Sequence, residues 1–190
     1  MLETESVSII GDSHALDIGK IITHATIKSV GGVSLNDNRI RDWMEGAKDY
    51  DRIYLCCSHP LCGYNSKTQL INLFNLPVGS RFSNRIKPGY MDTNWLDTIK
   101  QPVYVLLYSL WQEQIQYFIE LYPQTVLIPL LANFVQTSIA GVGPDPIDLL
   151  DRFPQVSVGH LGPSHYRDEY GHLNDAGLAS LDFENIITHV

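Results

Sequence analysis

A serine near one end of the chain and an acid–histidine pair near the other have the residue types of a nucleophile, a general base and its orienter. Ser13 stands in the run Ser8-Ile9-Ile10-Gly11-Asp12-Ser13-His14-Ala15. His172 stands in Asp168-Glu169-Tyr170-Gly171-His172-Leu173-Asn174-Asp175-Ala176-Gly177. A serine hydroxyl becomes a useful nucleophile when a neighbouring base takes its proton, and an imidazole does this best when a carboxylate holds its tautomer. The first motif also has a plainer account, in which Asp12 or Ser13 simply caps the helix that follows. The second motif weighs against that account, because serine early and acid–histidine late form one triad if the fold joins the two ends.

A parallel α/β sheet would join them, since all its strand C-termini lie along one edge. Short apolar runs at residues 7–10, 25–30, 53–57, 125–131 and 156–159 are the expected strands. Ala15, Leu16, Ile18, Ile21 and Ile22 follow the first strand at helical spacing, which puts Ser13 on a strand–turn–helix. Residues 110–121 read as a helix that ends at Tyr122-Pro123. Residues 103–108 fit either a strand or a buried helix that begins after Pro102. Residues 67–101 make a long connection with weak periodicity, either a cap over the site or a surface insertion. Residues 132–145 read as a second loop at the same edge. The expected fold class is thus α/β, as one domain over residues 1–190.

With these residues in place, the chain resembles the SGNH (GDSL-type) hydrolase superfamily of esterases, deacetylases and related acyltransferases. The resemblance rests on Gly11-Asp12-Ser13 after a first strand and on His172-Leu173-Asn174 with Gly177. The form Gly-Asp-Ser-His-Ala also resembles SGNH domains linked to polysaccharide O-acylation. The two anchors frame nearly the whole chain, and the middle matches poorly. The resemblance implies a three-layer α/β/α sandwich, flavodoxin-like, with a mostly parallel sheet of about five strands. It implies Ser13 as nucleophile and His172 as base. The family's acid stands three residues before the histidine, which here is Glu169; Asp168, one residue earlier, is the alternative. The implied oxyanion donors are the Ser13 N–H, the N–H of Gly32 or Leu35, and a side-chain amide. The asparagine block is degenerate, and Asn65 is its candidate.

Composition narrows the partners. The formal net charge is −8, with 13 Lys and Arg dispersed among 21 acids, which argues against nucleic acid or an anionic membrane surface. A neutral small-molecule or carbohydrate ester fits that balance. No apolar run is long enough to span a bilayer, and the acidic start lacks the basic and apolar regions of a secretory signal, so a cytoplasmic location is expected. Cys56, Cys57 and Cys62 make no even disulfide framework, and the adjacent Cys56 and Cys57, in an expected strand, read as small core residues. His59, His160 and His165 fit no ordinary zinc spacing with His172, and no metal or cofactor is expected. Gly141-Val142-Gly143 is not a dinucleotide fingerprint. Trp43 and Trp111 read as core; Trp95, inside the long connection, stands apart. His14 is expected to pack or cap. The reading that follows is a serine esterase or deacetylase acting on a small acyl ester such as a carbohydrate O-acetyl group. An O-acyltransferase using the same residues and a non-catalytic binding module on the same scaffold are the alternatives.

Overall fold

The computed structural model describes residues 5–33, 35, 37–56, 101–130, 133, 151–168 and 171–188, with the backbone alone for residues 101–108 and 110. Among the described residues six strands form one sheet: β1 (Val7–Gly11), β2 (Thr26–Ser29), β3 (Arg52–Cys56), β4 (Thr125–Ile128), β5 (Gln155–Val156) and β6 (Ile186–Ile187). Their order is β2-β1-β3-β4-β5-β6. The first five run parallel, and β6 is antiparallel to β5. The fold is therefore α/β with a mostly parallel sheet, of six strands among the described residues where about five were expected. The sixth is a two-residue edge strand, too short to leave a period in the sequence.

Central parallel strands bury both faces, and β1 and β4 are buried along their whole length. Along β1, Val7 and Ile9 point to one side, where they join Tyr54, Cys56, Val126, Ile128 and Val156 in a single core cluster. Helix α1 (His14–Ile18) seals that side with Ala15 and Ile18, and α4 (Asp175–Ala179) with Leu178. Ile10, Ile53, Leu55 and Leu127 on the alternate positions are also fully buried. β2, at the sheet edge, is exposed along most of its length and carries Lys28, as suits an edge strand.

Strand boundaries move where single residues decide them. β4 stops at Ile128 instead of residue 131, because Pro129 has no N–H for the ladder. Residues 103–108 are helical, within α3 (Gln101–Leu121). Trp111, Ile115 and Phe118 of α3, at i, i+4 and i+7, are all buried. Helix α2 (Asn38–Gly46) was not anticipated. Its signals were modest: Asp37 caps it by accepting the Arg39 N–H at 2.9 Å, and Ile40 and Met44, four apart, are its buried residues. Of the candidate cap at 67–101, Gln101 opens α3, while residues 67–100, Trp95 among them, and Asn65 lie outside the described residues. No helix among the described residues is long and apolar enough to cross a membrane.

Candidate active site

The strand order sets where a ligand can approach. From β1 the chain crosses to β2 on one side, and then to β3 on the other. Such a reversal opens a crevice at the C-terminal ends of β1 and β3. The Gly-Asp-Ser turn sits there. Gly11 closes β1 at φ +152°, and a Cβ on it would lie 2.6 Å from the Cys56 carbonyl oxygen of β3. Glycine is required at that point for β1 to run hard against β3 and still turn. The Ser29 hydroxyl donates to the Asp12 carbonyl at 2.6 Å, which pins the turn to β2 as well.

Ser13 is the N-cap residue of α1, yet its side chain makes no capping bond. Its Oγ lies 2.8 Å from Nε2 of His172. Capping falls to Asp12, whose Oδ1 accepts the His14 N–H at 2.9 Å. The two accounts of the motif thus divide between neighbours: Asp12 caps, and Ser13 faces the histidine.

His172 arrives on a hairpin after β5. Tyr166 pairs with Leu173 in an antiparallel bridge, and the Arg167 N–H donates to the His172 carbonyl at 2.8 Å. Leu173 is fully buried and anchors the hairpin in the core cluster. Buried Asn133 donates to the Tyr166 hydroxyl at 2.8 Å, and burial pushes the phenol of Tyr166 above its ordinary range. Asn174 caps α4 by accepting the Gly177 N–H at 2.9 Å and donates to the Ser164 carbonyl at 2.7 Å. A Cβ on Gly177 would meet the His165 carbonyl at 2.5 Å, so helix and hairpin pack with no room between them.

Within this hairpin the carboxylate on His172 is that of Asp168. Its Oδ2 lies 2.8 Å from Nδ1, and its Oδ1 accepts the His172 N–H at 3.1 Å. This corrects the expectation of Glu169, which itself lies outside the described residues. The reason is the turn: Gly171 at φ +79° folds the backbone so that one carboxylate spans both the main-chain and the ring nitrogen of His172. A carboxylate only accepts, so Nδ1 carries the imidazole proton and Nε2 offers its lone pair to the Ser13 O–H.

Charge ties the two halves together. Asp17 of α1 is buried, and its Oδ1 receives Lys20 at 2.7 Å and Arg167 at 3.1 Å. Arg167 also stands 3.7 Å from Oδ2 of Asp168. One guanidinium therefore links the helix behind Ser13 to the hairpin that carries His172. Neither Arg167 nor Asn133 was singled out from the sequence: each is a lone polar residue without periodicity, and its partner is distant in the chain.

The remaining expected residues are spread more widely. Gly32, at φ +69°, lies in the turn after β2 on the same sheet edge as Ser13, and Leu35 beyond it is buried. Cys56 is buried in β3, and Trp111 is buried in α3. No group of three His, Cys, Asp or Glu among the described residues could hold a metal ion.

No protein-family model, curated protein or solved structure matches the chain.

Proposed function

We propose that the chain is a serine hydrolase of the SGNH kind, with the three-layer arrangement of that family, acting on a small acyl ester. The observation that carries this reading is the double engagement of His172, with Nε2 on the Ser13 hydroxyl at 2.8 Å and Nδ1 on Asp168 at 2.8 Å. Ser13 Oγ attacks the ester carbonyl while His172 takes its proton, and the imidazolium is held by Asp168. His172 then returns the proton to the leaving alcohol, and water repeats the sequence on the acyl-enzyme. The proposed oxyanion donors are the Ser13 N–H, the Gly32 N–H and the Asn65 amide. The acidic chain and the Gly-Asp-Ser-His-Ala motif favour a neutral substrate, with a carbohydrate O-acetyl group as the preferred class.

Hydrolysis of a short-chain aryl acetate tests the reading. Ser13→Ala is expected to lower the rate by about 10³-fold or more with its melting transition intact, because the remaining groups cannot replace the nucleophile. A rate in Ser13→Ala equal to that of the parent, or no turnover by the parent, refutes it.

A further inference from the structure

A second acid–histidine pair lies against the face of the base. Asp12 and His14 flank Ser13 in sequence, and both are buried, each 1 % exposed. His14 Nδ1 lies 2.8 Å from Asp12 Oδ1, the same oxygen that accepts the His14 backbone N–H. The ring of His14 stacks on that of His172, with centroids 4.8 Å apart and planes 28° apart. Packing alone does not call for this pair. An imidazole and a carboxylate are costly to bury beside Ala15 and Ile18, and a small apolar side chain would fill such a place at lower cost. The reaction outlined above makes no use of either group.

We propose that His14, held by Asp12, is a positioning residue for His172. This rests on the reading of Ser13 and His172 as nucleophile and base. Two hydrogen bonds, at Nδ1 and Nε2, fix the imidazole of His172 at its two ends. Neither bond by itself sets the tilt of the ring about the line that joins those nitrogens. A ring stacked on its face stops the tilt and keeps the Nε2 lone pair on Ser13. The same face favours the charge that appears when the Ser13 proton reaches Nε2, because an aromatic face attracts a cation. Asp12 keeps the stacked ring in one orientation by accepting its Nδ1–H. His14 acts as the neutral ring in this scheme, since two stacked imidazolium rings would repel each other.

A fluorophosphonate probe tests the proposal on the full chain, with no need to know the natural ester. Ser13 Oγ bonds to phosphorus, fluoride leaves, and the serine proton passes to His172, so the labelling rate reads how well Ser13 is activated. Wild-type protein is expected to be labelled at Ser13. His14→Asn preserves an N–H for Asp12 but has no ring. It is expected to be labelled about 10- to 100-fold more slowly, with the loss in the maximal rate and not in the half-saturating probe concentration. Two further variants isolate the ring should that one fail to fold: Asp12→Asn with His14→Phe, and Asp12→Asn with His14→Leu. Neither buries an unpaired carboxylate, and only the first keeps an aromatic face. The phenylalanine variant is expected to be labelled at least about 5-fold faster than the leucine variant. Equal rates for that pair, or a wild-type rate for His14→Asn, overturn the proposal while leaving Ser13 and His172 in their roles. Wild-type protein that takes no label at Ser13 overturns those roles and this proposal together.

Discussion

Replacing Asp168 is the sharpest test of the site, because two substitutions there separate two physical effects. Asp168 Oδ2 lies 2.8 Å from His172 Nδ1, and the carboxylate is 31 % exposed against 17 % for the imidazole. When His172 becomes an imidazolium, charge centres about 4 Å apart attract by about 1 kcal/mol in water and about 4 kcal/mol at an effective dielectric of about 20. A carboxylate with this exposure falls between those limits, at about 2–3 kcal/mol. At 1.36 kcal/mol per decade, Asp168→Ala is expected to slow Ser13 chemistry by about 30- to 150-fold. Asp168→Asn suffers the same loss and adds another. Its amide turns an N–H toward Nδ1, which drives the imidazole proton to Nε2 and removes the lone pair that Ser13 needs. The asparagine variant is therefore expected to fall by about 10³-fold or more, below the alanine variant although it is closer to wild type in shape. Aryl acetate hydrolysis and fluorophosphonate labelling, run in parallel on Asp168→Ala, Asp168→Asn and Glu169→Ala, measure this order. If both Asp168 variants stay within about 3-fold of wild type, or Glu169→Ala costs more than either, the reasoning is wrong.

Three further outcomes follow from the scaffold. Gly11→Ala is expected to destabilise the fold by about 2–4 kcal/mol, a fall in Tm of roughly 5–15 °C, because its Cβ meets the Cys56 backbone at a φ of +152°; calorimetry measures it, and an unchanged Tm would show that β1 and β3 can separate at little cost. Asn174→Ala removes the α4 cap and is expected to lose about 1 kcal/mol in denaturant unfolding, with a transition as steep as that of the wild type. The N–H and O–H of Ser6 hold the Asp51 carboxyl below its ordinary range. A lowered carboxyl stabilises the fold in full above its unfolded value, about pH 4, and this contribution is lost as the pH falls through the lowered value. Tm measured from pH 6 to pH 2 is therefore expected to fall less steeply at the acid end in Asp51→Asn than in wild type.

What the sequence reveals about this fold depends on how local each signal is. β1, β2 and β3 are legible within a residue or two because β-branched and aliphatic runs end in Gly, Ser or Cys at the edge where the chain must turn. That Ser13 and His172 meet is legible for the same reason, since each lies in a short run of residue types that pair in this way. The acid was legible only as a pair of neighbours. Asp168 and Glu169 differ by one residue, and the choice between them turns on the positive φ of Gly171, which brings one carboxylate onto two nitrogens of His172. A family spacing cannot report that angle.

The contacts that hold Ser13, His172 and Asp168 in place are the least legible, and their chemistry explains why. Asp17 to Arg167 and Asn133 to Tyr166 are single polar pairs between residues far apart in the chain. Neither member has a period, a motif or a neighbour that announces it. Yet Asp17 is a buried carboxylate, and a buried charge persists only where something compensates it. Lys20, three residues on, supplies one cation, 2.7 Å from Asp17 Oδ1. Arg167 supplies the other cation on Asp17 and also stands 3.7 Å from Oδ2 of Asp168, so the charge that makes α1 tolerable also faces the carboxylate on His172. Positioning and stability thus share one ion pair here. The same holds for His14, expected to pack or cap: it does pack, and what it packs against is the ring of His172.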